Sequence, residues 1–385
     1  GKRAAHGVPY ANSYLHCKVQ WLSGSKGHTE FFKEYLDGDN LLSSIVASGP
    51  GNLGPRYSSV SALQLVTVPK SYKAFRCIVP NTVLGGFHSA GLGDYIEDRL
   101  KENGLRISSL QKVHGRLAKA ASLHKHLVTA DLSKASDSFD CALLNRLLPR
   151  RWFREIKRGR IGYVEIDGSV YYQASYMAMG IGYTFPLETL LFYGLLKSLQ
   201  ELSGIRGRIS VYGDDLIYPT KLHTYVKKLF PRIGLNLNED KTFVSSFFRE
   251  SCGQDFYHGV EVRPCQPEMV TKGLGGESAL SVLYKLYNGL IRRWDAVEIP
   301  CTLTYIRRAI STLAGVIHQV PMSFPDTAGI KTHSIQNAWY EPWSPVLWNS
   351  ETRQWSFRYL RKVSKRRVVE FIFPYLWETL RKSDR

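Results

Sequence analysis

The chain has 385 residues, and 51 Lys and Arg against 33 Asp and Glu give it a formal charge of +18. That balance favours a polyanionic partner, either nucleic acid or an anionic membrane surface. No run of 18 or more apolar residues occurs, which argues against a spanning helix, and no signal-peptide pattern opens the chain. The six cysteines (17, 77, 141, 252, 265 and 301) show no C-x-x-C spacing. They read as free thiols of a reducing cytosol rather than as a zinc site or disulfide frame.

Residues 1–60 are mixed, with a Gly-, Pro- and Asn-rich stretch from Ser48 to Pro55 that predicts a loop. Val66-Thr-Val-Pro-Lys70 then opens a basic segment, Lys70-Ser-Tyr-Lys73-Ala-Phe-Arg76. In an extended run alternate residues share a face. Lys70 and Arg76 share that parity and Lys73 does not, so a curved loop is needed to aim all three at one anion. From the residues alone, a solvated basic strand has equal weight. Residues 90–126 predict basic helix. His124-Lys-His126 reads as a solvated basic segment rather than a ligand pair, because no cysteine or acid of suitable spacing joins it. Leu127-Val-Thr-Ala130 predicts a short strand that runs into Asp131. A polar stretch to Ser138 follows, then a helical pattern carried by Phe139, Leu143 and Leu147.

Between residues 146 and 160, Arg146, Arg150, Arg151, Arg154, Lys157, Arg158 and Arg160 surround Trp152 and Phe153. A charge run is usually a solvated face. The interleaved aromatics favour a nucleic-acid surface, since rings stack on bases and cations meet phosphates. Ile166-Asp-Gly168, flanked by Val164 and by Val170-Tyr-Tyr172, predicts a hairpin. Met179-Gly180-Ile-Gly182-Tyr-Thr184 is a small-residue loop whose glycines let backbone approach a ligand closely. It runs into a helix from Phe185 through Glu188 to Phe192, with Thr184 as the expected N-cap and Pro186 in the first turn.

Tyr212-Gly213-Asp214-Asp215 lies between the apolar runs Ile209–Val211 and Leu216–Ile217. A central Gly-Asp pair in that setting predicts a tight hairpin with two adjacent carboxylates at its tip. Such carboxylates repel each other unless a cation sits between them, and a hard ion such as Mg2+ is the natural partner. By turn rules alone a solvated tip explains the four letters equally well. Asp131 breaks the tie. It stands at a strand end, where an adjacent hairpin tip could meet it. Three carboxylates from two neighbouring strands can hold two metal ions about 3.5–4 Å apart, the arrangement used for in-line phosphoryl displacement. Lys241 follows Asn236-Leu-Asn-Glu-Asp and by itself reads as a surface lysine. After residue 265 no chemistry-bearing spacing occurs. That region is rich in Trp, Tyr, Arg and Lys, with a basic cluster at Arg361-Lys362 and Lys365-Arg-Arg367.

Taken together, Asp131-Leu-Ser-Lys-Ala-Ser-Asp137-Ser138, Met179-Gly-Ile-Gly-Tyr-Thr184-Phe185, Tyr212-Gly-Asp-Asp215, Lys241-Thr-Phe-Val-Ser and Phe248-Arg249-Glu250-Ser251-Cys252-Gly253 resemble, in order, the motifs of RNA-directed RNA polymerases. The specific resemblance is to the replicase subunit of single-stranded RNA bacteriophages (levivirus-like). It covers roughly residues 65–265, the fifth motif being specific to the phage branch, and is weak beyond. It implies an α+β, right-hand polymerase fold with an antiparallel palm sheet. Residues 1–120 would be partial fingers with the basic triphosphate-binding segment, 121–145 palm, 146–176 a fingers insertion, 177–262 palm and 263–385 thumb and C-terminal region.

The resemblance further implies template-directed nucleotidyl transfer in replication of a viral RNA genome. Asp131 and Asp214 would be the primary ligands of two Mg2+ ions, with Mn2+ as an alternative, and Asp215 a secondary one. Lys70, Lys73 and Arg76 would hold the triphosphate, and Asp137, Gly180 and Thr184 would line the nucleotide. Lys241 would protonate the departing pyrophosphate, which needs its pKa brought towards working pH. Ser136 and Asp137 stand where reverse transcriptases usually place a bulky aromatic, and small polar groups can bond a 2′-hydroxyl. Glu188 stands where many viral RNA polymerases carry Asn, so the sugar-sensing network departs from that pattern. Implied partners are template and nascent RNA, nucleoside triphosphates, and host elongation factors Tu and Ts with a small-subunit ribosomal protein, in the cytoplasm of a bacterial host and away from membranes. The chain starts at Gly1 and its first methionine is Met177, from which an incomplete amino-terminal fingers region is expected. Competing readings are a non-catalytic RNA-binding protein, a reverse transcriptase and a two-metal nuclease.

Overall fold

The computed structural model describes residues 21–38, 43, 56–70, 74–158, 160–265, 276–294, 297–333 and 346–361. Lys73, the 48–55 stretch and the basic residues from Lys362 onward lie outside them. Helices and strands are mixed, in two compact units that divide between Val262 and Arg263. Among the described residues no helix is long and apolar enough to cross a membrane.

In the first unit, the short apolar runs form a three-stranded antiparallel sheet in the order Ser210–Tyr212, Asp215–Pro219, Leu127–Ala130. Its middle strand is buried from Leu216 to Pro219, and the period of two sorts its side chains. Leu216 and Tyr218 enter the main core with Val128 and Ala130, while Ile217 turns to the opposite face with Leu127 and Ala121. Both faces are therefore covered, which is why these strands read as continuous apolar runs rather than alternating ones.

Helices Val83–Glu102, Ile107–His124 and Thr184–Ser203 contribute to this core. The first is capped by Thr82, whose hydroxyl accepts the Gly85 N–H at 3.1 Å. The third stops at Gly204, which takes the left-handed conformation at φ +68°. Its beginning differs from expectation. Thr184 is the first helical residue, Tyr183 precedes it without a side-chain cap, and the Thr184 hydroxyl donates back to the Ala178 carbonyl at 3.1 Å. Thr184 therefore ties the glycine loop to the helix instead of capping it.

The chain turns within the Lys70–Arg76 segment, as the curved-loop reading required, and the solvated strand of equal weight is not formed. Val66–Pro69 and Phe75–Ile78 are the arms of an antiparallel hairpin, closed by the Lys70 N–H to the Ala74 carbonyl at 2.9 Å. The parity argument does not apply across a turn. The aromatics of the 146–160 segment are half-buried, which leaves less of each ring free to stack on a base than the sequence suggested. Trp152 and Phe153 pack against the core from helix Arg150–Lys157, beside Tyr95 and Tyr176. Two of the basic residues are used internally. Arg158 pairs with both carboxylate oxygens of Glu34 at 2.8 Å, and Arg160 lies 3.9 Å over the Tyr176 ring and donates to the Gln173 and Ser175 carbonyls. The hairpin predicted at Ile166–Gly168 forms between Tyr163–Ile166 and Ser169–Tyr172.

The second unit is built on helices Gly276–Ile291 and Pro300–Ala314. Tyr284, Leu303, Ile306 and Ile310 form its core with Ile317 and Ile330. A parallel strand pair, Gln319–Pro321 with Ile330–Thr332, packs against it.

Candidate active site

The Leu127–Ala130 strand delivers Asp131 at the point where the chain leaves the sheet. Tyr212 pairs with Asp215, leaving Gly213 and Asp214 as the two central residues of the turn. Gly213 has φ +60° and Asp214 has no positive φ, the combination of a II′ hairpin. A Cβ on Gly213 would meet the Phe185 ring at 2.4 Å, so both backbone sign and space require glycine. The turn is held by the Thr184–Ser203 helix. The Gly213 N–H donates to Thr189 Oγ1 at 2.9 Å, that hydroxyl donates to the Phe185 carbonyl at 3.0 Å, and Phe185 meets Tyr212 edge-on at 4.7 Å.

Leu216 lies opposite Ala130, so continuing the register by one residue sets Asp215 beside Asp131. Asp131 is fixed from its other side by Asn238. The Asn238 N–H donates to the Asp131 carbonyl at 2.9 Å and its amide to Oδ2 at 3.3 Å. Lys241 Nζ lies 3.4 Å from the same oxygen. Asp215 Oδ2 accepts the Cys252 N–H at 3.2 Å. That N–H comes from a turn whose central residues, Cys252 and Gly253, both have positive φ (51° and 72°), as a I′ hairpin requires.

This last hairpin, Phe248–Ser251 with Gln254–Tyr257, is positioned by a buried arginine. Arg249 has no exposed surface. It donates to the carbonyls of Leu127 (3.0 Å), Val244 (2.8 Å), Ser246 (2.6 Å) and Phe248 (2.7 Å). It thereby clamps the start of the Asp131 strand to the hairpin that touches Asp215. Two residues on, Ser251 Oγ bonds the buried His114 Nδ1 at 2.9 Å. Sequence reasoning did not assign Arg249, Asn238, His114 or Thr189. For Arg249 a signal existed: an arginine two positions from a serine in a short strand shares its face.

The charges are not balanced. Burial and then the Asp131 charge push Asp214 above the ordinary carboxylate range, partly offset by Lys241 and Arg76. Asp214 is open to solvent at the turn tip but protein crowds its other sides. Burial, with the charges of Asp214 and Asp131 behind it, raises Asp215 to about 6 against the opposing Cys252 N–H. Glu188, on the helix that holds the turn, is buried and raised to about 8 by that burial and by the charges of Asp214 and Asp137. For Lys241, burial acts downward, but Asp131, Glu250 and Asp215 outweigh it and the net shift is upward. The expected lowering of its pKa towards working pH is therefore not found. In this state Lys241 is the counter-ion of Asp131.

Among the described residues no three acidic, imidazole or thiol side chains stand close enough to enclose a metal unaided. The donor set nevertheless fits Mg2+. It offers oxygen ligands only, carries an excess of negative charge that a cation would relieve, and supplies the one or two carboxylates that Mg2+ typically takes, with substrate phosphates completing its shell.

The other candidate residues divide. Arg76, on the Phe75–Ile78 arm, acts on Asp214. Lys70 is exposed at the hairpin end. Asp137 is exposed in the short 3-10 turn Ser136–Ser138. Gly180 (φ +109°) makes its close approach to the chain itself: a Cβ there would lie 2.5 Å from the Val79 carbonyl, and the Met179 carbonyl accepts the Val79 N–H at 2.8 Å. Gly182 likewise abuts the Ala90 N–H of the Val83–Glu102 helix. Gly180 and Thr184 are thus joints between segments rather than open backbone.

Residues 47–383 match the family model described as RNA replicase, beta-chain. The chain is 38% identical over 216 residues to the RNA-directed RNA polymerase subunit beta of Escherichia virus Qbeta, a stretch covering 54% of this chain and 36% of that protein. It is 37% identical over 198 residues to the RNA-directed RNA polymerase beta chain of Escherichia phage MS2, covering 51% and 36%. To the subunit beta of Enterobacteria phage SP it is 35% identical over 257 residues, covering 61% and 44%. The chain therefore matches less than half the length of these curated relatives. With the family match spanning nearly its whole length, the chain belongs to the RNA replicase beta-chain family.

Proposed function

We propose that this chain carries the polymerising centre of an RNA-directed RNA polymerase of right-hand architecture, the three-stranded sheet being its palm. The observation that carries the reading is the meeting of Asp131, Asp214 and Asp215 at one end of that sheet, with Lys241 on Asp131 and Arg76 acting on Asp214. The reaction is attack of an RNA 3′-hydroxyl on the α-phosphorus of a nucleoside triphosphate. The new ester forms as the bond to the bridging oxygen breaks, and pyrophosphate leaves.

Asp131 and Asp214 would hold two Mg2+ ions (Mn2+ being the alternative), with Asp215 as a further ligand, and the bound metal would supply a lowered pKa for the attacking hydroxyl and charge neutralisation for the leaving phosphates. Arg76, with Lys70 and Lys73 of the same segment, meets the triphosphate charge. Lys241 would give its proton to the departing pyrophosphate only once metal binding at Asp131 offsets the carboxylate charge that now holds its pKa up. Asp137, exposed and acting electrostatically on Glu188, would accept from a ribose 2′-hydroxyl. Elongation factors Tu and Ts and a small-subunit ribosomal protein are carried over as partners in a bacterial cytoplasm.

The test is nucleotide incorporation on a primed RNA template, with and without Mg2+ and with and without those factors. Extension is expected. Asp214→Asn removes a charge with little change of shape and should reduce incorporation at least about a hundredfold, with far-UV circular dichroism and RNA binding retained. Shortening of the RNA would indicate a nuclease, and full activity of a folded Asn variant would remove Asp214 from the mechanism.

A further inference from the structure

Two turns meet at the carboxylate site, Gly213-Asp214 and Cys252-Gly253, and helix Ile107–His124 packs against strands of both hairpins. One side chain of that helix touches a flanking residue of each turn. His114 has no exposed surface. Its Nδ1 bonds Ser251 Oγ at 2.9 Å, and Ser251 pairs with Gln254 across the Cys252-Gly253 turn. Its ring lies 6.1 Å from that of Tyr212, tilted by 56° to 60° in the manner of packed aromatic pairs, and Tyr212 pairs with Asp215 across the Gly213-Asp214 turn. The next residue, Gly115, lets helix and hairpin approach: a Cβ there would collide with Gln254 Oε1. His114 and Gly115 thus form one seat for the ends of two hairpins that are distant in sequence.

Burial pushes the His114 pKa down to about 4, so the ring is neutral near pH 7 and carries a single N–H. Its Nε2 is buried and has no hydrogen-bond partner. A buried N–H is rarely left without an acceptor, which assigns the proton to Nδ1 as donor to Ser251 Oγ. The Ser251 hydroxyl is then free to point at Cys252 Sγ, 3.8 Å away. Fixing Ser251 fixes the backbone that follows it, and the next N–H is the one that Cys252 donates to Asp215 Oδ2 at 3.2 Å.

We propose that His114 is a positioning residue of the carboxylate site. Through Ser251 and the Cys252 N–H it holds the Asp215 carboxylate, and through the Tyr212 ring it holds the turn that presents Asp214, as ligands for divalent ions. It touches neither metal nor substrate. The proposal deepens the polymerase reading and rests on it for the metal. Groups that orient ligands from behind typically govern metal affinity or activity by about ten- to a hundredfold.

The test measures Mn2+ binding to the full chain by electron paramagnetic resonance, without RNA or nucleotide. The Mg2+ concentration that half-saturates incorporation is measured alongside. His114→Leu and Ser251→Ala remove the two ends of the bond. His114→Asn keeps an amide donor near the Nδ1 position, whereas His114→Gln moves it towards that of Nε2. In His114→Leu and Ser251→Ala both concentrations should rise about tenfold. The double variant should lose no more than either single one, because they share one interaction. His114→Asn should recover most of the affinity, and His114→Gln should behave as His114→Leu. A general loss of structure would instead lower the number of Mn2+ sites and the maximal rate at unchanged half-saturation.

Circular dichroism checks that each variant is folded. Should His114→Leu fail to fold, Ser251→Ala, which removes one oxygen atom, decides. Unchanged Mn2+ affinity in folded Ser251→Ala, or a His114→Asn variant no better than His114→Gln, would overturn the proposal. Absence of Mn2+ binding by the unaltered chain would overturn it together with the metal reading of the carboxylates. The expected series of Mn2+ affinities without any incorporation would support it and count against the polymerase reading alone.

Discussion

Arg249 shows how much one residue can set. A guanidinium with no exposed surface and four carbonyl partners has lost its hydration and is compensated only by that geometry. Arg249→Met would leave several buried carbonyls without a donor, at about 3 kcal/mol or more. For a unit of this size that is a fall in Tm of roughly 6–12 °C by calorimetry. Arg249→Lys should not restore it, because a point charge cannot span the four acceptors. Glu188 gives a pH signature. Its carboxyl is held at about 8 in the folded chain against an ordinary 4.5, so between those values the folded state keeps a proton that the unfolded state has released. Stability is then full below about pH 4.5 and falls as pH rises through about 8, by at most about 1.4 kcal/mol per pH unit. Urea unfolding of the metal-free chain from pH 5 to 8 should show this slope. Glu188→Gln should flatten it, and an unchanged slope in that variant would reassign the effect to Asp215.

The elements of the site are short, and each is made usable by a neighbour. The Gly213-Asp214 turn rests on the Thr184–Ser203 helix through Thr189 and Phe185. Gly213→Ala would place a side chain at φ +60°, costing about 1–2 kcal/mol, and push it into the Phe185 ring. Incorporation should drop at least about tenfold, because a small displacement of a positioned group weighs heavily on rate. Adding Phe185→Leu should recover part of the thermal stability by opening space, but not the share due to the backbone sign. Full recovery would show that backbone conformation is not limiting at this turn.

For the whole molecule the governing quantity is charge. With +18 on the chain, RNA binding should proceed by counterion release, and the logarithm of affinity should fall linearly with the logarithm of salt. Contact with about six phosphates of a single strand gives a slope near −4. Fluorescence anisotropy between low and moderate salt measures it, and a flat response would mean that the basic surface serves another purpose. Ion pairs such as Arg158 with Glu34 are already cancelled in that net figure, whereas Arg249, buried on backbone carbonyls, counts towards it without being free to meet RNA.

The hairpin at Gly213-Asp214, the strand running into Asp131 and the tight turn at Asp167-Gly168 were all legible in the chain. Each depends on a few adjacent residues whose backbone preferences are local. Where the chain doubled back, linear reading failed. Lys70 lies just past one arm of a hairpin and Arg76 on the other, so alternation could not relate them. Trp152 and Phe153 lie among arginines in sequence yet pack into the core, because helical periodicity turns them inward. The partners of Asp131, Asp214 and Asp215 were decided by tertiary structure alone: Asn238 and Lys241 on one, the Thr189-anchored turn beneath the second, the Cys252 N–H on the third. Burial, unpaired polar atoms and the mutual raising of carboxyl pKa values depend on which distant segments exclude water from one another. Composition records the charged groups a chain owns, and packing determines which of them must share a space.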